Sequence, residues 1–106
     1  MENKLSKKII GKTEAEVGGG EKYVFQLFVT GMSPNSAHAI VNIKAICEQY
    51  LKGGYELEII DIYQQPAMAL SENIIAIPVL IKKFPLPKAR LIGDLSNIEK
   101  VLNLFL

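Results

Sequence analysis

With 106 residues, 49% of them apolar, the chain is long enough for one compact core and too short for a second domain. Its charges nearly cancel at +1, which removes the electrostatic case for nucleic acid or an anionic membrane and leaves partner choice to local surfaces. One cysteine, Cys47, excludes an intrachain disulfide, and one Cys with one His cannot complete a zinc site; no metal or cofactor is expected, and a reducing cytoplasm suits the chain.

Residues 1–21 mix Lys, Glu, Ser and Thr and run into Gly18, Gly19 and Gly20, which predicts a mobile tail ahead of a domain over 22–106. Its apolar pair, Ile9 and Ile10, falls far short of a signal core or a membrane span. Tyr23 to Val29 is a nearly continuous apolar run broken only by Gln26, the pattern of a strand covered on both faces. Gly31 permits a tight turn, Ser33 can accept from a free helix N–H, and Pro34 suits the first helical position, so the strand hands over to a helix there.

From Pro34 to Lys52, residues Ala39, Ile40, Ile43, Ile46, Cys47, Tyr50 and Leu51 share one helical face, and Gly53 and Gly54 end the helix. Cys47 on that stripe reads as an inert buried thiol, with no basic residue one turn away to activate it. His38 precedes the stripe and points outward. Tyr55 to Tyr63 is the second strand, parallel to the first because a helix connects them. Pro66 to Glu72 suggests a short helix with Met68 and Leu70 reaching the core. Val79–Phe84 and Ala89–Ile92 read as a hairpin, since Pro85 and Pro87 force a turn between them. Gly93 then leads to Ser96, which with Glu99 has the spacing of a capping box opening a last helix with Ile98, Val101, Leu102 and Phe105 inward.

The order βαβαββα resembles that of thioredoxin-like proteins, an α/β single domain. In that fold the reactive dithiol sits where the first strand enters the first helix, because the helix N-terminus stabilises a thiolate. Here the position holds Met32, Ser33, Pro34 and Asn35, so thiol exchange has neither nucleophile nor resolving partner. Pro78 stands where such proteins carry a cis-proline before their hairpin. Gly18 to Gly20 lack the Gly-Lys-Ser/Thr ending of a phosphate loop. Ser36 and His38 are two apart on a helix and do not face each other, and Glu56 with Glu58 reads as a solvated strand face, so no catalytic set is found.

The segments YVFQLFVTGMSPNSAHAI, YELEIIDIYQQP, AIPVLIKKFPLP and RLIGDLSNIEKVL, in this order and spacing, resemble the KaiB family over about residues 22–104. The resemblance implies a non-enzymatic regulator that binds a KaiC-type hexameric ATPase and modulates circadian-type timing or stress adaptation. Other Kai-associated regulators or a histidine kinase are implied as further partners, and a dimer or tetramer as its own assembly, with neither nucleic acid nor membrane involved. It also implies two accessible folds, a tetrameric ground state and a thioredoxin-like monomer differing mainly in the C-terminal half; the thioredoxin-like order is expected here.

Carried over by position, the family's basic contacts fall on Lys83 and Arg90, with His38 where the family commonly has an Arg. The family's core turn falls on Gly31, Pro34, Asn35 and Ser36, with Pro78 and Gly93 as further structural turns. Lys83 and Arg90 also suit a second role, protecting a sheet edge from aggregation. Two other readings stay open. One is a redox or stress protein that lost its dithiol but kept Cys47; the other is a self-assembling protein that uses Leu86 and its neighbouring prolines as a contact.

Overall fold

The computed structural model describes residues 8–10, 22–31 and 33–106. In chain order the elements are β1 (Lys8–Ile10), β2 (Tyr23–Val29), α1 (Pro34–Tyr50), β3 (Tyr55–Asp61), α2 (Pro66–Ser71), β4 (Val79–Phe84), β5 (Ala89–Ile92) and α3 (Ile98–Leu104). They build one sheet in the order β1-β3-β2-β4-β5. From β2 onward this is the expected thioredoxin-like βαβαββα arrangement. β2 and β3 run parallel, β4 returns antiparallel to β2, and β5 completes an antiparallel hairpin.

The apolar runs decide these faces. On one side of the sheet Phe25, Leu27 and Val29 of β2, Leu57 of β3 and Leu80 of β4 meet Ala39, Ile43, Ile46 and Cys47 of α1 and Val101 and Leu104 of α3. On the other side Phe28, Ile60, Val79 and Ile81 form a smaller core with Met68 of α2 and with Ile62, Ile74 and Ile77. β2 contributes alternate residues to both cores, which is why its sequence is apolar almost throughout. Burial of each such side chain is worth about 1.5–3 kcal/mol, enough for these contacts to outweigh local propensity in the short helices.

Several boundaries differ from the sequence expectation for identifiable reasons. Tyr50 closes α1 and is 46% exposed rather than joining the buried stripe, and α1 ends there, with Leu51 as its cap, instead of reaching Lys52. Leu70, expected to reach the core from α2, is 78% exposed, and Met68 alone carries that contact. The cap of α3 is Asn97, whose side chain accepts from the Lys100 N–H, not Ser96. Asp94 Oδ1 accepts the Ser96 N–H at 3.0 Å, so Ser96 is held in an Asx turn one residue before the cap, and Asn is as strong a cap as Ser. The Ile77–Pro78 peptide bond is cis, as are those preceding Pro85 and Pro87.

β1 is an element absent from the sequence reading, which left Lys8–Ile10 within a tail. It pairs antiparallel with β3, Ile9 opposite Glu58, and so covers the edge that β3 would otherwise present. Three residues are too few for periodicity to announce a strand; the open edge supplies the reason for one. The rest of residues 1–21 lies outside the described residues.

Candidate functional site

The turn from β2 into α1 occupies the position of the thioredoxin-like redox centre, and its hydrogen bonds are internal. Ser33 caps α1 by accepting the Ser36 N–H at 3.1 Å. Ser36, fully buried, accepts the Thr30 N–H at 3.0 Å through its hydroxyl. Gly31, at φ +31, donates its N–H to Asp61 Oδ2 at 3.2 Å, and Asp61 Oδ1 accepts the Tyr63 N–H at 2.8 Å. The ends of two parallel strands are thereby tied to one helix start. Pro34 occupies the first helical turn, and Asn35 is exposed on it. The side-chain oxygens of Ser33, Ser36 and Asp61 all accept from backbone N–H groups at this turn. Met32 lies outside the described residues. Asp61 was not singled out from sequence, although a lone carboxylate ending an apolar strand is a signal of its kind.

The second constellation lies where the end of α2 meets the β4–β5 hairpin. Glu72 gathers three cations: Lys83 Nζ at 2.8 Å, Lys88 Nζ at 2.9 Å and Arg90 Nη2 at 3.7 Å. Arg90 also donates to the backbone carbonyls of Glu72 and Asn73 at the C-terminal end of α2. Glu72 is the innermost member, its side chain 13% exposed against 28% for Lys83, 38% for Arg90 and 47% for Lys88. Hydrogen bonds from Lys83 and Lys88 hold its carboxyl below the ordinary glutamate value, against the opposing effect of burial. The structure thus brings together Lys83 and Arg90, the two basic positions named from sequence, and adds Glu72 and Lys88. No spacing rule links residue 72 to residues 83–90; only the fold of the hairpin onto α2 does.

His38 does not join this cluster. It is exposed on α1, on the opposite face of the sheet from α2, and its electrostatic neighbour is Asp94. Hydrogen bonds from Ser96 are the main reason the Asp94 carboxyl lies below its usual range, with His38 a lesser contribution. Asp94 also lends its backbone carbonyl to Asn42 of α1 at 2.9 Å, which fastens the loop from Gly93 to α3 against α1. Gly93 adopts φ +122, a conformation that side chains disfavour, and Leu95 at φ 65 turns its side chain into the core.

Chemistry at sulfur has no site among the described residues. Cys47 is fully buried, and burial, followed by the neighbouring Glu48, pushes its thiol up to about 12. Among the described residues no three His, Cys, Asp or Glu side chains are grouped to hold a metal ion, and no helix is long and apolar enough to cross a membrane. An open depression of about 600 Å³ between Lys22, Val24, Phe84, Pro85 and Leu86 has one cation and an apolar lining, with no acid–base pair.

The family model for the KaiB domain matches residues 26–106. The chain belongs to the KaiB family. It is 48% identical over 81 residues to the circadian clock protein KaiB3 of a Synechocystis species, covering 76% of this chain and 79% of that protein. It is 46% identical over 80 residues to the circadian clock oscillator protein KaiB of Prochlorococcus marinus, covering 76% and 75% of the two chains. Among solved structures, the N-terminal domain of Synechococcus elongatus SasA superposes with a TM-score of 0.67 at 22% identity, covering 85% of this chain and 86% of that domain. Mitochondrial thioredoxin 3 of Saccharomyces cerevisiae gives a TM-score of 0.64 at 13% identity over 78% of each chain. These likenesses identify the fold as thioredoxin-like. β1 lies outside the matched KaiB domain.

Proposed function

We propose that this chain is a non-enzymatic KaiB-like regulator that binds a KaiC-type hexameric ATPase and modulates circadian-type timing or stress adaptation in the cytoplasm. The observation that carries this reading is the entry to α1. In a thioredoxin-like fold the site of chemistry holds Ser33, Pro34 and Asn35, and the polar groups there are used to fasten β2, β3 and α1 together. A scaffold whose reactive position is structural acts through its surface. The surface that suits contact is the Lys83, Lys88 and Arg90 cluster, and family membership supports a Kai-system partner. His38 supplies a separate exposed position on α1. Further partners in this reading are a Kai-associated histidine kinase and a second copy of the chain, the latter through exposed apolar residues such as Leu86.

The redox alternative requires a reactive Cys47, and its burial and raised pKa oppose that role. The test pairs two assays on the same preparation. Insulin reduction by dithiothreitol should proceed at the same rate with and without this protein, while a KaiC-type ATPase from the same source should co-elute with it. Turnover that disappears in Cys47→Ser would reverse the assignment.

A further inference from the structure

We propose that the depression between the start of β2 and the β4–β5 turn is a binding site for a small aromatic monocarboxylate. Its ring would lie on Val24, Phe84, Pro85 and Leu86, and its anionic end on Lys22. Such a site needs neither an ATPase nor the cations at Glu72, and it is independent of the partner-binding reading.

The depression exists because of a break in the sheet. Alternation along β2 sends Phe25 and Leu27 to the α1 side, and Val24 with Phe28 to the α2 side. The register of β4 against β2 shifts between Val24 and Phe25: Phe25 pairs with Lys82 and Val24 with Phe84, which leaves Lys83 as an extra residue. Such a bulge re-aims the side chain that follows it. Strict alternation from Leu80 would carry Phe84 to the α1 side, whereas the shift sets it across from Val24. The core under Met68 of α2 holds Phe28, Ile60, Val79 and Ile81, and Val24 lies beyond it. Phe84, 53% exposed, and Leu86, 70% exposed, are therefore walls of a concavity rather than parts of a core. Pro85 and Pro87 fix φ on both sides of Leu86, so this wall is set before a ligand arrives.

The lining defines the ligand. A volume of about 600 Å³ lies in the ordinary range for small-ligand sites, which are likewise apolar with a few polar groups. The Phe84 ring and the flat face of Pro85 suit an aromatic body. Lys22 is the one charge on the lining, and among the described residues it forms no ion pair. A single ammonium matches one carboxylate, whereas a phosphate would call for more donors. Glu56 stands opposite Val24 on β3, on the side of Val24 away from Phe84, and repels an anion from that edge. The carboxylate is thereby directed to Lys22 and the ring to Phe84.

The chain has no tryptophan, so naphthalene fluorescence reads the ligand alone. Naphthylacetate is titrated with the full chain, beside the neutral naphthylacetamide and the cationic naphthylmethylamine, at about 20 and 200 mM salt. The expected Kd for naphthylacetate is about 0.01–1 mM. The amide should bind about 3–5-fold more weakly and the amine more weakly still, with the gap between acid and amide narrowing at high salt. Lys22→Ala should make acid and amide bind alike without changing the affinity of the amide. Leu86→Asp, at an exposed wall residue, should weaken naphthylacetate by about 10-fold, and Leu86→Met should retain it.

Equal affinity for the three naphthyl compounds, or a Lys22→Ala protein that still prefers the acid, would overturn the proposal, because the ammonium would then play no part. Unchanged binding in Leu86→Asp would place the ligand elsewhere and overturn it as well. A second copy of the chain is the rival occupant. If affinity for naphthylacetate falls as the protein is concentrated, and Leu86→Asp lowers the mass read by sedimentation, the depression is a contact between copies and the proposal fails. Failure on any of these counts leaves the regulator reading standing, since ATPase binding is measured separately.

Discussion

Ser36→Ala tests whether the entry to α1 is a structural lock. The Ser36 hydroxyl is fully buried and accepts the Thr30 N–H at 3.0 Å, while its own backbone N–H is already committed to Ser33. Removing the oxygen leaves the Thr30 donor facing a methyl group in a space that water does not reach. A backbone donor stripped of its acceptor in such a place costs about 1–3 kcal/mol. For a domain near this size that lowers Tm on the order of 4–15 °C. The measurement is equilibrium urea unfolding followed by circular dichroism, with His38→Ala alongside as a solvent-exposed change two residues away, expected within about 0.5 kcal/mol of the parent. Equal midpoints for Ser36→Ala and His38→Ala would refute the argument, since the buried acceptor would then be worth no more than an exposed side chain. Ser33→Ala should cost about 0.5–2 kcal/mol through loss of the cap, and the double variant less than the sum, because both serines belong to one network.

Cys47 should resist a disulfide reagent at pH 8 in the folded protein and react within the dead time in denaturant, because a thiol pushed up to about 12 is almost wholly protonated there and is also shielded; rapid native labelling would contradict its burial. Glu72 has a lowered folded pKa, so its contribution to stability is present above the unfolded glutamate value and lost as pH falls through the folded value. Urea midpoints should therefore decline on acidification more steeply in the parent than in Glu72→Gln, and parallel pH profiles would count against the cluster. Tyr23→Phe removes the 2.6 Å hydrogen bond from the Tyr23 hydroxyl to the Phe105 carbonyl while keeping the ring packed on Phe25 and Phe105. It should cost about 0.5–1.5 kcal/mol and speed amide exchange in the last turn of α3; unchanged exchange there would mean that aromatic packing alone holds the helix.

The elements that carry strong periodicity were legible from residues alone. β2, β4, β5 and α1 occupy the positions their apolar patterns required, and the Ser33–Pro34 start of α1 followed from capping chemistry. β1 was not legible, because its reason for being a strand is the free edge of β3, a property of the assembled sheet. The shift of the α3 cap from Ser96 to Asn97 had the same origin: two good caps stood side by side, and Asp94 and the backbone at Leu95 chose between them. At the candidate site, Lys83 and Arg90 were named on resemblance, whereas Glu72 and Lys88 became visible only when the hairpin met the end of α2. Long-range polar contacts leave no periodic trace in a sequence, and Glu72 stands too far along the chain from Lys83, Lys88 and Arg90 for any local charge count to join them.

The most direct test of the account is native mass spectrometry of this protein mixed with a KaiC-type ATPase from its own source, sampled from minutes to a day, with Arg90→Ala in a parallel series. Stoichiometric binding to the hexamer that is weakened in Arg90→Ala is the predicted result; a slow approach would add that a minor binding-competent state is populated first. Absence of any complex over the whole day, with both proteins folded, would contradict the assignment of this chain as a KaiC-binding regulator.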